Sequence, residues 1–289
     1  MPTRIVEPRH VLEAKVKAAR PTLLSYHGGP LIQNVEVTAI YWGSAWSVDP
    51  LRTSLDEFLA FAVGSSLIDQ LAEYNVPGFT IGHGRLVQSV LVADQEPPNP
   101  VDDTDIQNFL RQMLVDKLPA PNTNSLYFVF TPSGVTVTMQ GAASCQNFCG
   151  YHSWLPNSAP YVVDPYDDCP GCQFVPGDIV GSTTVPTSHE LCEAITDPFG
   201  TGWWDDVTGE EIGDKCAGQW KVINTAGTAL RVGTNYTVAG TASSDASGDI
   251  SVTLTLTPTG APPPPGPPPP TNQSWSVQTE WSNQAAGCV

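Results

Sequence analysis

Apolar positions along the chain follow two spacings, and each predicts an element. From Asn34 to Trp42 (NVEVTAIYW), Val35, Val37, Ala39 and Tyr41 recur at every second residue, which predicts a strand. Arg85 to Ala93 (RLVQSVLVA) reads as a second strand. Ser125 to Thr131 (SLYFVFT) is nearly all apolar, as a central strand covered on both faces should be. Between these runs the spacing becomes helical. Leu55, Phe58, Leu59 and Val63 fall on one face of a helix over Leu51 to Tyr74, which Gly64-Ser65-Ser66 divides. Ile106, Phe109, Leu110, Met113 and Leu114 do the same over Asp103 to Leu118, with Asp102 or Asp103 as the cap. Alternation of strand and helix over 34–131 predicts an α/β fold, a mixed β-sheet with helices packed on it.

The rest of the chain is less regular. Residues 1–30 read as an irregular or partly helical lead-in, or a pro-like segment. Residues 31–219 are the expected core. A Cys-rich loop region spans 141–178 and holds Tyr161-Val162-Val163, expected as an edge strand. A helix is expected over about 186–196, with Pro186 in its first turn and Pro198 as its stop. Residues 220–258 alternate Val, Thr, Ile and Tyr with Gly and Ser, a β-rich insertion of two or three strands. Ala261 to Pro270 (APPPPGPPPP) lies in a Pro-rich linker, 259–271, of polyproline II type. Ser274 to Trp281 is again strand-like, so 272–289 should return to the core.

Composition narrows the setting. Acidic residues outnumber basic ones 29 to 12 among 289, a net charge of −17, which argues against nucleic acid and anionic membranes as partners. Few Lys, many Ser, Thr and Pro, and seven Cys suit a secreted protein in an oxidising compartment. Residues 1–30 hold no apolar run of signal-peptide length, and nothing approaches the length of a membrane span.

The candidate chemistry lies in Ser188-His189-Glu190-Leu191-Cys192-Glu193. On a helix, His189 and Glu193 share a face four residues apart. This is the spacing of a zinc-peptidase helix with a carboxylate in place of the second His. His189 and Glu193 are then metal ligands, and Glu190 the general base acting on a metal-bound water. Zinc is the first candidate and calcium the second, since a carboxylate-rich site is a hard one. Asp197, Asp205, Asp206, Glu210, Glu211 and Asp214 follow closely, and carboxylates so crowded repel one another unless a cation sits among them. Asp214 is the expected third ligand, then Glu211. Asp197, two helical turns beyond His189, is expected to cap, to brace, or to hold a separate calcium. His152 is a candidate ligand or oxyanion stabiliser, whereas His27 and His83, beside glycines, read as turn residues.

Cys145-x3-Cys149 and Cys169-x2-Cys172 read as disulfide cysteines, with half-sites of a structural zinc as the alternative. Seven cysteines leave one over, and Cys192, inside the helix, is the one expected to be buried and unpaired. No G-x-S-x-G, dinucleotide fingerprint or P-loop occurs.

Several segments together resemble the EXORDIUM / phosphate-induced protein family of plant cell-wall proteins. They are Tyr26-His27-Gly28-Gly29-Pro30-Leu31 before the strand Val37 to Trp42, Cys145-x3-Cys149-Gly150-Tyr151-His152, Cys169-Pro170-Gly171-Cys172, and Ile195-Thr196-Asp197-Pro198-Phe199. The resemblance covers about 26–216 and again 274–289, with 220–270 as an insertion. The plant Cys-Pro-Gly-Cys pattern has an extra residue, and plant members lack the His-Glu pair at the helix. The chain therefore resembles a microbial or fungal branch that carries a zincin-like helix. The plant family is linked to growth signalling and the cell wall without an established reaction, so no activity comes from the resemblance.

Two functions fit. The first is a secreted metal-dependent peptidase acting on peptide or protein substrates. The second is a non-catalytic extracellular binding or signalling protein with a calcium-braced acidic loop. In the second, Trp154, Trp203 and Trp204 would meet cell-wall carbohydrate or line a partner groove.

Overall fold

The computed structural model describes residues 4–6, 23–156, 158–224, 236–244, 250–258, 273–285 and 287–289. Its strands begin with β1 (Arg4–Val6), β2 (Ser25–Tyr26), β3 (Asn34–Trp42), β4 (Gly82–Val92), β5 (Val101–Asp102) and β6 (Ser125–Phe130). They continue with β7 (Val137–Met139), β8 (Ala142–Ala143), β9 (Gly150–Trp154), β10 (Pro160–Asp164), β11 (Trp203–Trp204) and β12 (Trp220–Asn224). The last are β13 (Tyr236–Ser244), β14 (Ile250–Pro258), β15 (Ser274–Gln278), β16 (Trp281–Ser282) and β17 (Gly287–Cys288). The described α-helices are α1 (Leu51–Ala62), α2 (Ser66–Asp69), α3 (Asp103–Asp116) and α4 (Ile179–Thr196).

The main sheet has six strands in the order β1-β9-β10-β6-β3-β4. β4, β3, β6 and β10 run parallel, β9 adds antiparallel to β10, and β1 adds antiparallel to β9, so the sheet is mixed as expected. β6 is buried at every residue, the burial its all-apolar sequence predicts. Its side chains alternate between two cores. Leu126, Phe128 and Phe130 join α1, α4 and Trp275 on one face; Tyr127 and Val129 join Ile106, Phe109 and Leu110 of α3 on the other. Asp102 caps α3 through a capping box with Asp105, and Ser65 caps α2 by accepting from Leu67 N (3.2 Å).

Four sequence expectations need correction. Tyr161–Val163 is no edge: β10 lies between β6 and β9, fully buried. A three-residue apolar run does not reveal whether strands flank it. The second is the helix that carries His189 and Glu190, which starts at Ile179 rather than near Pro186, so Pro186 lies inside it. Ile179-Val180-Gly181-Ser182-Thr183-Thr184-Val185 is a poor helix former, yet Asp178 caps it by accepting from Gly181 N (3.0 Å). Thr183 and Thr187 hydroxyls donate to Ile179 O (3.0 Å) and Thr183 O (2.8 Å). Burial from Gly181 to Thr196 outweighs propensity there. Third, the lead-in contains a strand, β1. Fourth, the core begins before residue 31, because β2 pairs with β11.

The chain divides into two units, Met1–Ile223 with Ser274–Val289, and Asn224–Gln273. In the second unit β13 and β14 form a hairpin pairing Tyr236 with Pro258 and Ser244 with Ile250, as the insertion pattern suggested. The expected polyproline segment lies outside the described residues. β15 does return to the first unit, packing along α4: Thr184 Oγ1 donates to Ser276 O (2.6 Å), and Gln278 N donates to Ser188 Oγ (2.9 Å).

Disulfides join Cys145–Cys169, Cys149–Cys172 and Cys216–Cys288, and Cys192 is free and buried. The structural-zinc alternative for the cysteines is thereby set aside. The bridges fit an extracellular protein, and among the described residues no helix is long and apolar enough to cross a membrane. Cys216–Cys288 fastens the chain end, 72 residues on, to the loop after α4. Replacing both cysteines by Ser is expected to destabilise the fold by about 2–5 kcal/mol, lowering Tm by roughly 5–15 °C. Calorimetry of the variant measures this, and an unchanged Tm would contradict it.

Candidate metal centre

α4 lies between the sheet and β15, so its side chains meet groups from both. His189, Glu190 and Glu193 are all fully buried. From the sheet side, β9 presents Gly150 and His152. A Cβ on Gly150 would lie 2.8 Å from Asp164 Oδ1 and in ordinary contact, 3.5 Å, with Glu190 Cγ, so glycine here leaves room for the Asp164 carboxylate. His152 Nδ1 donates to Glu190 Oε2 (2.9 Å) and lies 3.5 Å from Glu193 Oε2; its Nε2 lies 3.4 Å from Glu211 Oε2. From the loop side come Glu211 and Asp214. Glu211 N donates to Asp214 Oδ2 (3.1 Å), and Asp214 N donates to Glu193 Oε1 (3.1 Å). His189 Nε2 sits 3.0 Å from Glu193 Oε1 and 3.9 Å from Asp214 Oδ1.

Two sets of ligand atoms therefore converge, each within 4.8 Å: His189, Glu193 and Asp214, and His152, Glu190 and Glu193. Glu193 belongs to both. Asp214, 21% exposed, is the member nearest solvent.

β15 and its extension supply two residues that the sequence reading missed. Gln278 Nε2 donates to Gly213 O (2.7 Å) and lies 2.6 Å from His189 Nδ1. Gly213 packs against the same imidazole, where a Cβ would come within 2.6 Å of Nδ1. Glu280 is fully buried, with the Cys192 thiol against its carboxylate. Their one signal in the sequence is a polar alternation, Ser276, Gln278 and Glu280, within an aromatic strand.

The electrostatics favour a cation. Burial disfavours charge on His189, but Glu193, Glu190 and Asp214 outweigh it and raise the imidazole well above its usual range. The same balance raises His152, where burial is overcome chiefly by Glu190. Burial raises Glu190 against the opposing effect of both histidines, and pushes Glu280 up to about 8. Excess carboxylate in a dry site is costly unless matched by positive charge. Glu190 Oε1 is buried with no hydrogen bond, and His189 Nε2 faces the carboxylates of Glu193 and Asp214, so a nitrogen and several oxygens point into the cluster. The residues fit a nitrogen–oxygen site of the kind zinc accepts.

Other candidates take different places. Asp197, also fully buried, ends α4 and accepts from Gly202 N (2.6 Å) through Oδ1, bracing the turn that follows; neither ligand set contains it. Asp205 pairs with the buried Lys215 and accepts from Val207 N (2.8 Å). Asp206 is held by Ser25 Oγ (2.5 Å), and Glu210 accepts from Thr208 Oγ1 (3.0 Å). Lys215 and local donors therefore hold Asp205, Asp206 and Glu210 away from the cluster, and of the downstream carboxylates Glu211 and Asp214 face the two histidines. His27 stacks on Trp204 (3.6 Å between centroids), and His83 pairs with Asp69 (2.8 Å). Trp203 Nε1 donates to Tyr74 O (2.9 Å), and Trp154 meets Phe199 edge-on, so these tryptophans have partners within the chain.

Asp164 and Asp167 form a second buried acidic pair beside the centre. Asp164 accepts from Thr187 Oγ1 (2.8 Å), but both oxygens of Asp167 lack a partner. Burial, with Asp164 and Asp168 adding to it, raises Asp167 well above the carboxylate range. An acid raised in the folded state contributes stability that is full below its unfolded pKa, about 4, and fades as pH rises towards the folded value. Asp167→Asn removes that loss. Its Tm relative to the natural protein should increase steadily between about pH 5 and about pH 8, and a pH-independent difference would contradict this.

No protein-family model, curated protein or solved structure matches this chain. The likeness to the EXORDIUM family accordingly rests on the motifs alone.

Proposed function

We propose that the chain is a secreted metal-dependent hydrolase of peptide bonds, with a zincin-like arrangement of helix and sheet edge. The observation that carries this reading is the convergence of His189, Glu193 and Asp214 from a helix and a loop upon one buried point, with Glu190 beside it. His189, Glu193 and Asp214 would hold the metal, with zinc the first candidate and calcium the second. The bound metal would supply a Lewis acid and a water of lowered pKa.

The chain's own residues do the rest. Glu190 takes up a proton at its carboxylate, and its raised affinity for one, caused by burial, suits a general base working near neutral pH. His152 Nδ1–H holds Glu190 Oε2 in place at 2.9 Å, so in this reading His152 positions the base, and Glu211 at 3.4 Å steadies the far side of the ring. Gln278 and Gly213 fix the His189 ring. Membership of the EXORDIUM family is proposed for the same chain on its motifs.

The test is hydrolysis of an unfolded protein or a mixed peptide library, with zinc, manganese or calcium supplied. Zinc-dependent cleavage, blocked by a chelator, is expected. No cleavage with any of the three, also after removal of residues 1–22, would overturn the hydrolase reading.

A further inference from the structure

The groups assigned to catalysis are buried, and a substrate must reach them. On the sheet side they meet β9, the strand next to the end of the sheet order. One side of β9 is taken by β10, pairing His152 with Val162 and Tyr151 with Val163. The other side is taken by β1, antiparallel, with Arg4 opposite His152, Ile5 opposite Tyr151 and Val6 opposite Gly150. β1 also packs against α4. A three-residue segment from the start of the chain thus lies over the two β9 residues, Gly150 and His152, that face the Glu190 side chain.

We propose that this edge of β9 is a docking edge for an extended peptide, and that Arg4–Val6 is the chain's own occupant of it. Main-chain hydrogen bonds along a sheet edge accept nearly any sequence, so the fitting partner is an unfolded or extended polypeptide rather than a sugar or a folded surface. A guest in the register of β1 runs antiparallel to β9 and places the residue opposite His152 nearest Glu190. The opposite edge, β4, is unlike this one. It is eleven residues long and remote from α4's acidic face, and its Arg85 is held across the pair by Glu36 (2.6 Å). Three residues make few hydrogen bonds, but attachment in cis gives them an effective concentration on the order of millimolar. A guest of similar length must compete with that, and the N-terminal segment acts as a built-in competitor. That the guest is a substrate rests on the hydrolase reading; that it docks does not.

The experiment uses the full chain and a fluorescent peptide with the sequence of residues 1–10, MPTRIVEPRH. Ile5→Pro and, separately, Arg4→Pro/Val6→Pro cover both hydrogen-bonding phases of the strand, since proline cannot donate to a ladder. A third variant, Arg4→Gly/Ile5→Gly/Val6→Gly, weakens β1 without a ring that could disturb folding. Variants that keep the natural melting transition should bind the peptide at least 10-fold more tightly than the natural chain. Amide exchange of Gly150–Trp154 should be faster in the free variants and slow again with peptide. Equal peptide affinity and unchanged exchange in all variants would overturn the proposal. Tighter binding with no hydrolysis supports the docking edge and counts against the hydrolase. Hydrolysis with unchanged binding overturns the docking edge and leaves the hydrolase standing.

Discussion

Glu190→Gln is expected to keep the fold and the metal and to lose hydrolysis by about 100- to 10,000-fold, the range for removal of a general base. The amide is nearly isosteric, so it fills the space beside Gly150 without strain. It still presents an oxygen to His152 Nδ1–H, the partner Glu190 has at 2.9 Å. What it cannot do is accept a proton from a reacting water. The histidine contact and the ligands His189 and Asp214 stay intact, so the loss should fall on kcat, with metal content near the natural value. Steady-state kinetics with parallel metal analysis measure both. Equal cleavage by the variant would mean the base lies elsewhere, even if the activity is real.

Glu193→Gln, three residues along the same helix, should fail differently. Glu193 is the one residue common to both ligand sets. Its Oε1 faces His189 Nε2 at 3.0 Å and accepts from Asp214 N at 3.1 Å, and its Oε2 faces His152 at 3.5 Å. A neutral amide removes the charge that balances the metal and turns an N–H donor towards one of those histidines. Even residues that only support a ligand are worth about 10- to 100-fold in metal affinity, so a fall of at least about 100-fold is expected here. Competition against a chelating dye reads it directly. If Glu190→Gln and Glu193→Gln both leave metal affinity unchanged, α4 is an acidic helix and not a metal helix.

The sequence disclosed much of this scaffold, and where it failed the reasons are physical. Alternation at Asn34–Trp42 marks its strand because Val35, Val37, Ala39 and Tyr41 share one core, with Ile40 and Trp42 in the other, and helical spacing at Asp103–Asp116 marks its helix because one face is buried in that second core. Spacing also placed His189 and Glu193 on one face, since that relation is local. Pro186 misled because the buried turns before it are held by threonine hydroxyls and tertiary packing, which no propensity records. Tyr161–Val163 reads alike whether at an edge or in the middle, since strand order is a long-range property. Gln278 and Glu280 reach the centre from about 90 residues downstream, brought back by β15 and fastened by Cys216–Cys288. Asp205 looked like surplus negative charge until the fold set Lys215 beside it.

The central claim is that the buried histidine–carboxylate cluster is a metal centre with His189 as a ligand. The most direct measurement is elemental analysis of the natural protein and of His189→Ala, purified without chelator and checked for equal folding by circular dichroism. The account predicts about one transition-metal ion per natural chain and a marked loss in the variant. Metal-free natural protein that takes up none on dialysis against zinc, or equal metal in both proteins, would contradict it.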